Sequence, residues 1–305
     1  MIPAEETFDG TYPFKPHFST APGFRMHYVD EGQGETILLL HGEPTWGYLY
    51  RHMIPPLAHH HRVVVPDQMG FGKSETPKGR AYSLRTHVEN LTALIEDLDL
   101  HDLTLFGQDW AGLIITAYTV RHPERVKRIF YANTLNGHAR VDDPALPQLG
   151  DSPWFRWIAE GVDSGRNEAV LRNVGSSALS VMKILGFQNS GAVTDTWLRA
   201  YQSPFPTPEA AEGAYAWPLE AYTGSFAAYI MEGITEHGLE ALRAKPAMLA
   251  EGLEDRAILP ALAIANFRAL WPTAPVVELP GVGHYCQEDA PQTLVALLRQ
   301  FVQTS

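Results

Sequence analysis

Short runs of apolar residues alternate with segments of helical spacing through the first half of this chain. The runs are rich in branched side chains, and such uninterrupted runs are typical of parallel strands covered on both faces. Successive parallel strands need helical crossovers, so the pattern predicts right-handed βαβ units in one sheet. Strands are predicted at residues 36–40, 62–65, 103–106 and 128–132.

The segments between these strands carry apolar residues every third or fourth position, which predicts helices. A helix is predicted over residues 84–98, with Ser83 as its N-cap. A second is predicted over 113–121, ending before Pro123. The alternation resumes near the carboxyl end, with strands at 247–250 and 276–279 and helices at 260–270 and 291–302.

Between residues 134 and 235 the strand signals disappear, and prolines, glycines and tryptophans interrupt several helical segments. The chain is therefore predicted to have an α/β core domain, residues 1–133 and 236–305, and a helical cap domain, residues 134–235. Open α/β sheets bind ligands at the carboxyl edge of their strands. A cap over that edge would shape a pocket and exclude water from it.

Charge and cysteine content narrow the classes of partner. The 305 residues include 23 Lys and Arg against 35 Asp and Glu, a formal net charge of −12. This balance repels phosphate backbones and anionic lipid, so neither nucleic acid nor a membrane is predicted as a partner. The single cysteine, Cys286, excludes an internal disulfide and a cysteine-rich zinc site. With no signal-peptide pattern at the start, the chain is predicted to be cytoplasmic.

The sequence GQDWAG, residues 107–112, stands directly between a predicted strand and a predicted helix. Small residues two positions before and two positions after Asp109 allow the sharp turn of a nucleophile elbow. Such an elbow lifts its side chain above the sheet edge and turns the amides of the next helix toward the reacting centre. Asp109 is therefore predicted to be a nucleophile rather than a helix N-cap.

The sequence HGEPTW, residues 41–46, follows the predicted strand 36–40. A His-Gly turn at this place commonly supplies a backbone N–H to an oxyanion hole, together with the amide that follows the nucleophile. The predicted donors are the amides of Glu43 and Trp110. His41 itself is predicted to be a buried histidine that braces the loop.

The sequence PGVGH, residues 280–284, places His284 on a glycine-rich loop after the last predicted strand. Its position fits the order nucleophile, acid, histidine, so His284 is predicted to be the general base. Asp255 is the best candidate to orient the imidazole, with Glu251 and Glu254 as alternatives. The presence of all three groups favours an enzyme over a non-catalytic ligand-binding receptor.

The histidine tract at residues 59–61 has no neighbouring cysteine or carboxylate at ligand spacing, so it predicts a surface turn and not a metal site. The sequence GFGKS, residues 70–74, does not have the spacing of a phosphate-binding loop. Neither a metal nor an organic cofactor is predicted.

These motifs resemble those of the haloalkane dehalogenases, within the α/β-hydrolase superfamily. The resemblance is carried by HGEPTWGYLYR (41–51), VVVPDQMGFGKSETP (63–77), GQDWAG (107–112) and PGVGH (280–284), and it covers nearly all of the core. It implies an α/β-hydrolase fold, with a mostly parallel central sheet flanked by helices and a helical cap insertion.

The resemblance also implies a two-step hydrolysis of a haloalkane without a cofactor. Asp109 would form an alkyl ester, which water activated by His284 would hydrolyse to give alcohol, halide and a proton. Trp110 matches the family's first halide donor. Glu43 stands where one branch of the family has its second donor, an asparagine, so a cap tryptophan is predicted instead, with Trp157 preferred to Trp154.

Other electrophiles suit the same nucleophile. An epoxide hydrolase would also use Asp109 but needs acidic donors, for which the cap offers Tyr201, Tyr215, Tyr222 and Tyr229. A relative that opens β-lactones is a further alternative. The sequence leaves open the chain length and halogen of the substrate, and whether the protein is a monomer or a homodimer.

Overall fold

The computed structural model describes residues 2–305. In this part of the chain, eight strands form one sheet in the order β1-β2-β4-β3-β5-β6-β7-β8. β1 and β2 are antiparallel to their neighbours, whereas β3 to β8 are parallel. The strands are β1 (His17–Ser19), β2 (Met26–Glu31), β3 (Thr36–Leu40), β4 (Arg62–Pro66), β5 (Leu103–Gln108), β6 (Val126–Ala132), β7 (Ala247–Gly252) and β8 (Val276–Leu279).

Helices connect the parallel strands and form the region between β6 and β7. They are α1 (Ile54–Ala58), α2 (Leu84–Asp97), α3 (Trp110–Arg121), α4 (Pro153–Val162), α5 (Arg166–Leu171), α6 (Val174–Leu185), α7 (Asp195–Gln202), α8 (Glu212–Thr223), α9 (Ala227–His237), α10 (Glu240–Arg243), α11 (Pro260–Leu270), α12 (Cys286–Asp289) and α13 (Pro291–Thr304). Within residues 2–305, no helix is both long enough and apolar enough to cross a membrane.

The central strands form because their apolar side chains are covered on both faces of the sheet. All five residues of β3 and all six of β5 are buried. Phe106 of β5 stacks on Phe130 of β6, with 5.0 Å between ring centroids. The predicted mostly parallel α/β sheet is thus confirmed, and so is the N-cap of α2, where Ser83 accepts a hydrogen bond from the Thr86 amide.

Two strands at the amino-terminal side were not predicted, and α3 begins three residues earlier than predicted. β2 contains His27, a polar residue that hides the strand pattern. His27 is buried because its Nδ1 lies 2.8 Å from Oδ2 of Asp67, a partner 40 residues away. α3 begins at Trp110 because the preceding residue, Asp109, makes the whole turn from strand to helix by itself.

All regular elements described between β6 and β7 are helical: α4 to α10 and three short 3-10 helices, Leu149–Asp151, Ser190–Ala192 and Pro208–Ala211. We refer to α4 to α9 as the cap helices. The expected domain boundary at residue 235 falls inside α9. In α8, Trp217 packs on Trp110 at the start of α3 and on Phe71, with centroid distances of 5.5 and 4.6 Å. The cap helices therefore lie over the carboxyl ends of the strands.

Candidate active site

Asp109 occupies a sharp turn between β5 and α3. Its backbone has φ 55° and ψ −126°, an arrangement that costs free energy in any residue with a side chain. The hydroxyl of Thr134 donates a hydrogen bond of 2.5 Å to the Asp109 carbonyl. Gly112 permits this contact, because a Cβ there would lie 2.0 Å from the Thr134 hydroxyl oxygen. The predicted elbow is present, and it holds the Asp109 carboxylate at the sheet edge.

The loop after β3 lies beside Asp109 because β3 and β5 are neighbours in the sheet. The Glu43 amide donates a hydrogen bond of 2.7 Å to Oδ1 of Asp109. Gly42 allows this approach, since a Cβ there would lie 2.3 Å from the same oxygen. The other predicted donor, the Trp110 amide, belongs to the first residue of α3, where an amide has no intrahelical acceptor.

His41 holds this loop from within the core, as predicted. The ring is buried, and its Nδ1 lies 3.0 Å from the Gly42 carbonyl oxygen. Its Nε2 accepts a hydrogen bond of 2.9 Å from the Gln68 amide, so Nδ1 carries the proton and donates to Gly42.

His284 is paired with Asp255. The His284 Nδ1 lies 2.8 Å from Oδ2 of Asp255, and both side chains are buried. The other carboxylate oxygen of Asp255 accepts hydrogen bonds from the amides of Ala257 and Ile258, at 2.7 and 3.0 Å. This set of donors fixes the carboxylate in the orientation that holds the imidazole.

The two alternatives to Asp255 do not contact His284. Glu254 is exposed, whereas His284 is buried. Glu251 is buried in β7, and within the described chain neither of its carboxylate oxygens has a hydrogen-bond partner. Burial and the negative charge of Asp255 raise the pKa of Glu251 well above its usual value, which favours a neutral carboxyl there.

Asn133 is a site residue that the sequence reasoning missed. It follows β6 with φ 45°, and its side-chain amide nitrogen, Nδ2, donates a hydrogen bond of 2.9 Å to Oδ2 of Asp255. Its side-chain oxygen accepts from the Gly252 amide at 3.1 Å. The sequence signal that could have found Asn133 is its position directly after a predicted strand, which is also the position of Asp109 after β5.

His284 lies between two carboxylates. Its Nε2 is 3.3 Å from Oδ2 of Asp109, on the side opposite Asp255. Burial by itself lowers the pKa of His284, but the carboxylates of Asp255 and Asp109 outweigh it and raise the pKa to about 10. The two carboxylates therefore favour the protonated imidazole.

A cavity of about 230 Å³ opens beside Asp109, between the sheet edge and the cap helices. It is smaller than the roughly 300–1,000 Å³ of pockets for drug-sized ligands, so it suits a small molecule. Its lining is mostly apolar, with Leu113, Leu135, Phe155, Leu185, Phe226 and Ile258 among the lining residues.

Two indoles line this cavity, those of Trp110 and Trp154. Trp157, the cap tryptophan preferred from the sequence, is not in the lining. It stacks on Trp154 with 5.3 Å between centroids and 14° between planes, and the Arg166 guanidinium lies 5.7 Å from its ring. The helical register of α4 therefore brings Trp154, not Trp157, to the cavity.

None of the four cap tyrosines is among the described residues that line the cavity. The Tyr201 hydroxyl donates to Oε1 of Glu288 at 2.6 Å, and Tyr229 lies beneath the guanidinium of Arg121. Tyr222 is 45% exposed. Tyr215 lies against the guanidinium of Arg172, on the outside of the cap helices.

The Glu43 side chain is buried beside Asp109. Within residues 2–305, neither carboxylate oxygen has a hydrogen-bond partner. Burial and the negative charge of Asp109 raise the pKa of Glu43 well above its usual value, which favours a neutral carboxyl there. Both backbone groups of Glu43 are hydrogen-bonded. The amide donates to Oδ1 of Asp109, and the carbonyl accepts a hydrogen bond of 2.9 Å from the Tyr285 hydroxyl.

Comparisons with known proteins identify the family of this chain. Residues 35–291 match the family described as alpha/beta hydrolase fold. Haloalkane dehalogenase 2 of Mycobacterium bovis is 30% identical over 288 residues, which are 94% of this chain and 94% of that protein. Cis-3-alkyl-4-alkyloxetan-2-one decarboxylase of Shewanella oneidensis is 29% identical over 297 residues, 96% of this chain and 90% of that protein.

Among solved structures, the tetrameric haloalkane dehalogenase DpaA from Paraglaciecola agarilytica NO2 is 28% identical and superposes with a TM-score of 0.76, covering 99% of this chain and 97% of that one. The match of fold and sequence extends over nearly the whole length. The chain therefore belongs to the haloalkane dehalogenase family, with the α/β-hydrolase fold.

Proposed function

We propose that this protein is a haloalkane dehalogenase that hydrolyses the carbon–halogen bond of a small haloalkane to give an alcohol, a halide and a proton. The observation that carries the proposal is the environment of the Asp109 carboxylate. One oxygen is held by the Glu43 amide, the other lies next to His284, and the residue lines a small apolar cavity.

In the first step, Oδ2 of Asp109 attacks the carbon that bears the halogen. The new carbon–oxygen bond makes an alkyl ester, and the halogen leaves with the electrons of the broken bond. The carboxylate needs no deprotonation to attack, and the apolar cavity keeps water from competing for it. Because the ester is neutral, one cause of the raised pKa of His284 disappears, and the imidazolium can release its proton.

In the second step, neutral His284 takes a proton from water through Nε2, and the hydroxide adds to Cγ of Asp109. The oxyanion develops on Oδ1, where the Glu43 amide already donates and the Trp110 amide would add a second donor. When the tetrahedral intermediate collapses, the bond between Cγ and Oδ2 breaks, and the leaving oxygen takes the proton from Nε2 of His284 and departs as the alcohol. Asp109 is left as a carboxylic acid, and its proton passes to His284 to restore the starting state. Asp255 and Asn133 keep the imidazole oriented through both proton transfers.

The indole N–H groups of Trp110 and Trp154 are suited to hold the departing halide. An indole N–H is a donor without an acceptor, and its apolar body keeps the anion's surroundings dry. The cap helices supply Trp154, so we assign to residues 134–235 the role of a cap domain over the core formed by residues 1–133 and 236–305. The substrate would be a small molecule, and no nucleic acid or membrane takes part.

The test is the intact mass of a His284→Ala variant after incubation with bromoalkanes, chloroalkanes, terminal epoxides and β-lactones. This variant should still form the ester but not hydrolyse it. A mass gain equal to an alkyl group, absent when Asp109→Asn is added, is the expected result. The unsubstituted protein should release many halide ions per site, whereas a ligand-binding receptor would release none.

Other adducts would replace the proposal. A hydroxyalkyl gain would make the protein an epoxide hydrolase, for which no cap tyrosine is in place. An adduct formed only from the β-lactone would indicate that the protein acts on β-lactones, the class of compound in the name of the Shewanella oneidensis relative. An alkyl adduct that persists in the Asp109→Asn double variant would remove Asp109 as nucleophile.

A further inference from the structure

The carboxylate of Asp289 joins the loop of His284 to the cap. Its Oδ2 accepts a hydrogen bond of 2.8 Å from the amide of Gly283, the residue directly before His284. Its Oδ1 accepts from the amides of Gln188 and Asn189, at 3.2 and 2.8 Å. One half-buried side chain at the end of α12 thus bonds backbone amides on both sides of the contact between core and cap.

The backbones on the two sides of this contact touch directly. A Cβ on Gly283 would lie 1.8 Å from the carbonyl oxygen of Gly186, which follows α6 in the cap. A Cβ on Gly186 would lie 3.4 Å from the His284 amide nitrogen and 2.8 Å from the Glu254 carbonyl oxygen. Because no side chain separates the backbones at Gly186 and Gly283, a movement of this cap segment would displace the backbone of His284.

The same cap segment also contacts the loop of the triad acid. The Leu185 carbonyl accepts a hydrogen bond of 3.0 Å from the amide of Arg256, the residue after Asp255. The Arg256 carbonyl in turn accepts from the amide of Trp154 at 3.2 Å. The loops of the acid and the base are therefore both attached to cap residues next to the cavity.

We propose that Asp289 is a positioning residue, which holds His284 at the distance and angle that proton abstraction requires by tying its loop to the cap segment at Gln188 and Asn189. The proposal rests on the function proposed above. A general base must lie within about 2.6–3.2 Å of the proton's donor atom, and a misplacement of about 1 Å can reduce the rate about 100-fold.

The two chemical steps separate this role from a general structural one. Formation of the alkyl ester uses the Asp109 carboxylate and the halide donors, and does not need His284 as a base. Hydrolysis of the ester does need it. Loss of the Asp289 contacts should therefore slow hydrolysis far more than ester formation, and the alkyl-enzyme should accumulate.

The test compares three variants of the full chain. Asp289→Asn keeps the shape of the side chain but puts an amide group where one of the two acceptor oxygens stood. Asn189→Pro removes one amide from the cap side, at a residue whose φ of −70° proline can adopt. Glu220→Gln is the matched control, because its carboxylate also ties a cap helix to the core, accepting from the Leu84 amide at 2.9 Å, but at the start of α2 and not at the histidine loop.

Single-turnover measurements give the two rates, with halide release reporting ester formation and intact mass reporting its hydrolysis. In Asp289→Asn we expect hydrolysis to slow about 10- to 100-fold while halide release stays within about twofold. Asn189→Pro should show the same split, less strongly, and Glu220→Gln should show none.

Equal slowing of both steps, or no slowing of either, in Asp289→Asn and Asn189→Pro would overturn the proposal, as would the same split in Glu220→Gln. Failure of the proposed function gives a different result, because the unsubstituted protein would then form no alkyl-enzyme. If Asp289→Asn does not fold, as judged by circular dichroism, Asn189→Pro alone decides between these outcomes.

Discussion

The Nε2 atom of His284 lies 3.3 Å from Oδ2 of Asp109, the carboxylate oxygen not held by the Glu43 amide. The negative charge of this carboxylate, with that of Asp255, outweighs the effect of burial and raises the pKa of His284 to about 10. The protonation state of His284 is thus tied to the charge of Asp109.

Replacing Asp109 with asparagine should lower the pKa of His284, because the variant keeps the side-chain shape but loses the negative charge. The measurement is the pH titration of the His284 Cε1–H resonance by NMR, assigned with a His284→Gln variant. Glu220→Gln, whose carboxylate is remote from the imidazole, should leave the titration unchanged. An unaltered pKa in Asp109→Asn would show that Asp109 does not act on His284.

The raised pKa of His284 also predicts how stability changes with pH. The folded protein holds this proton up to about pH 10, whereas an unfolded histidine releases it near its ordinary pKa of about 6.5. The contribution to stability is therefore complete below about pH 6.5 and is lost as the pH rises toward 10, at up to about 1.4 kcal/mol per pH unit.

Urea unfolding at pH 7 and pH 9.5 measures this loss. The free energy of unfolding should fall more between these two pH values in the unsubstituted protein than in His284→Gln, where the group is absent. Parallel curves for the two proteins would contradict the assignment.

The origin of the alcohol oxygen tests the covalent route. In a single turnover in water labelled with ¹⁸O, the alcohol should carry ¹⁶O, because it leaves with Oδ2 of Asp109, and the label should enter the Asp109 carboxylate. Mass spectrometry of the alcohol and of the peptide containing Asp109 reads both outcomes. A labelled alcohol in the first turnover would indicate direct attack by water on the substrate carbon.

Trp154→Phe should weaken stabilisation of the departing halide, because it removes an indole N–H from the cavity while keeping an aromatic ring. A hydrogen bond to a charged group contributes about 1.5–3 kcal/mol, so the rate of halide release should fall roughly 10- to 150-fold. Trp157→Phe is the matched control on the same helix and should change the rate by less than about twofold. A large fall in the rate of halide release in Trp157→Phe, with little change in Trp154→Phe, would indicate that Trp157 binds the halide.

Gly42→Ala should nearly abolish activity, because the added Cβ would lie 2.3 Å from Oδ1 of Asp109 and would push the carboxylate away from the Glu43 amide. Ester formation and ester hydrolysis should both slow, whereas Asp289→Asn should slow mainly hydrolysis. The rates of halide release and of ester hydrolysis measure this, with circular dichroism as the check on folding. Activity close to that of the unsubstituted protein would mean that the hydrogen bond from Glu43 does not matter.

Some of the site was predictable because its signals are local in the chain. The turn at Asp109 is encoded by small residues on either side of it, and the loop of His284 by glycines after a strand. Asn133 carried a weaker local signal, since it follows β6 directly. Its role needs the neighbouring β7, which brings Asp255 within 2.9 Å of its side chain.

Other features depend on contacts that no local pattern encodes. Strand β2 was missed because His27 is buried only through its pairing with Asp67. Trp154 and Trp157 are three residues apart on α4, and the rotation of that helix, which no local pattern encodes, decides which of them lines the cavity.

The sequence by itself determined the fold class, the turn at Asp109, the loop of His284 and the loop that supplies the Glu43 amide, because apolar periodicity and glycine placement act over a few residues. The tertiary structure alone decided that Asp255 rather than Glu251 holds His284, that Trp154 reaches the cavity, and that Asp289 ties the histidine loop to the cap. These are contacts between residues far apart in the chain, and they depend on strand order, helix rotation and the close approach of backbones at glycines.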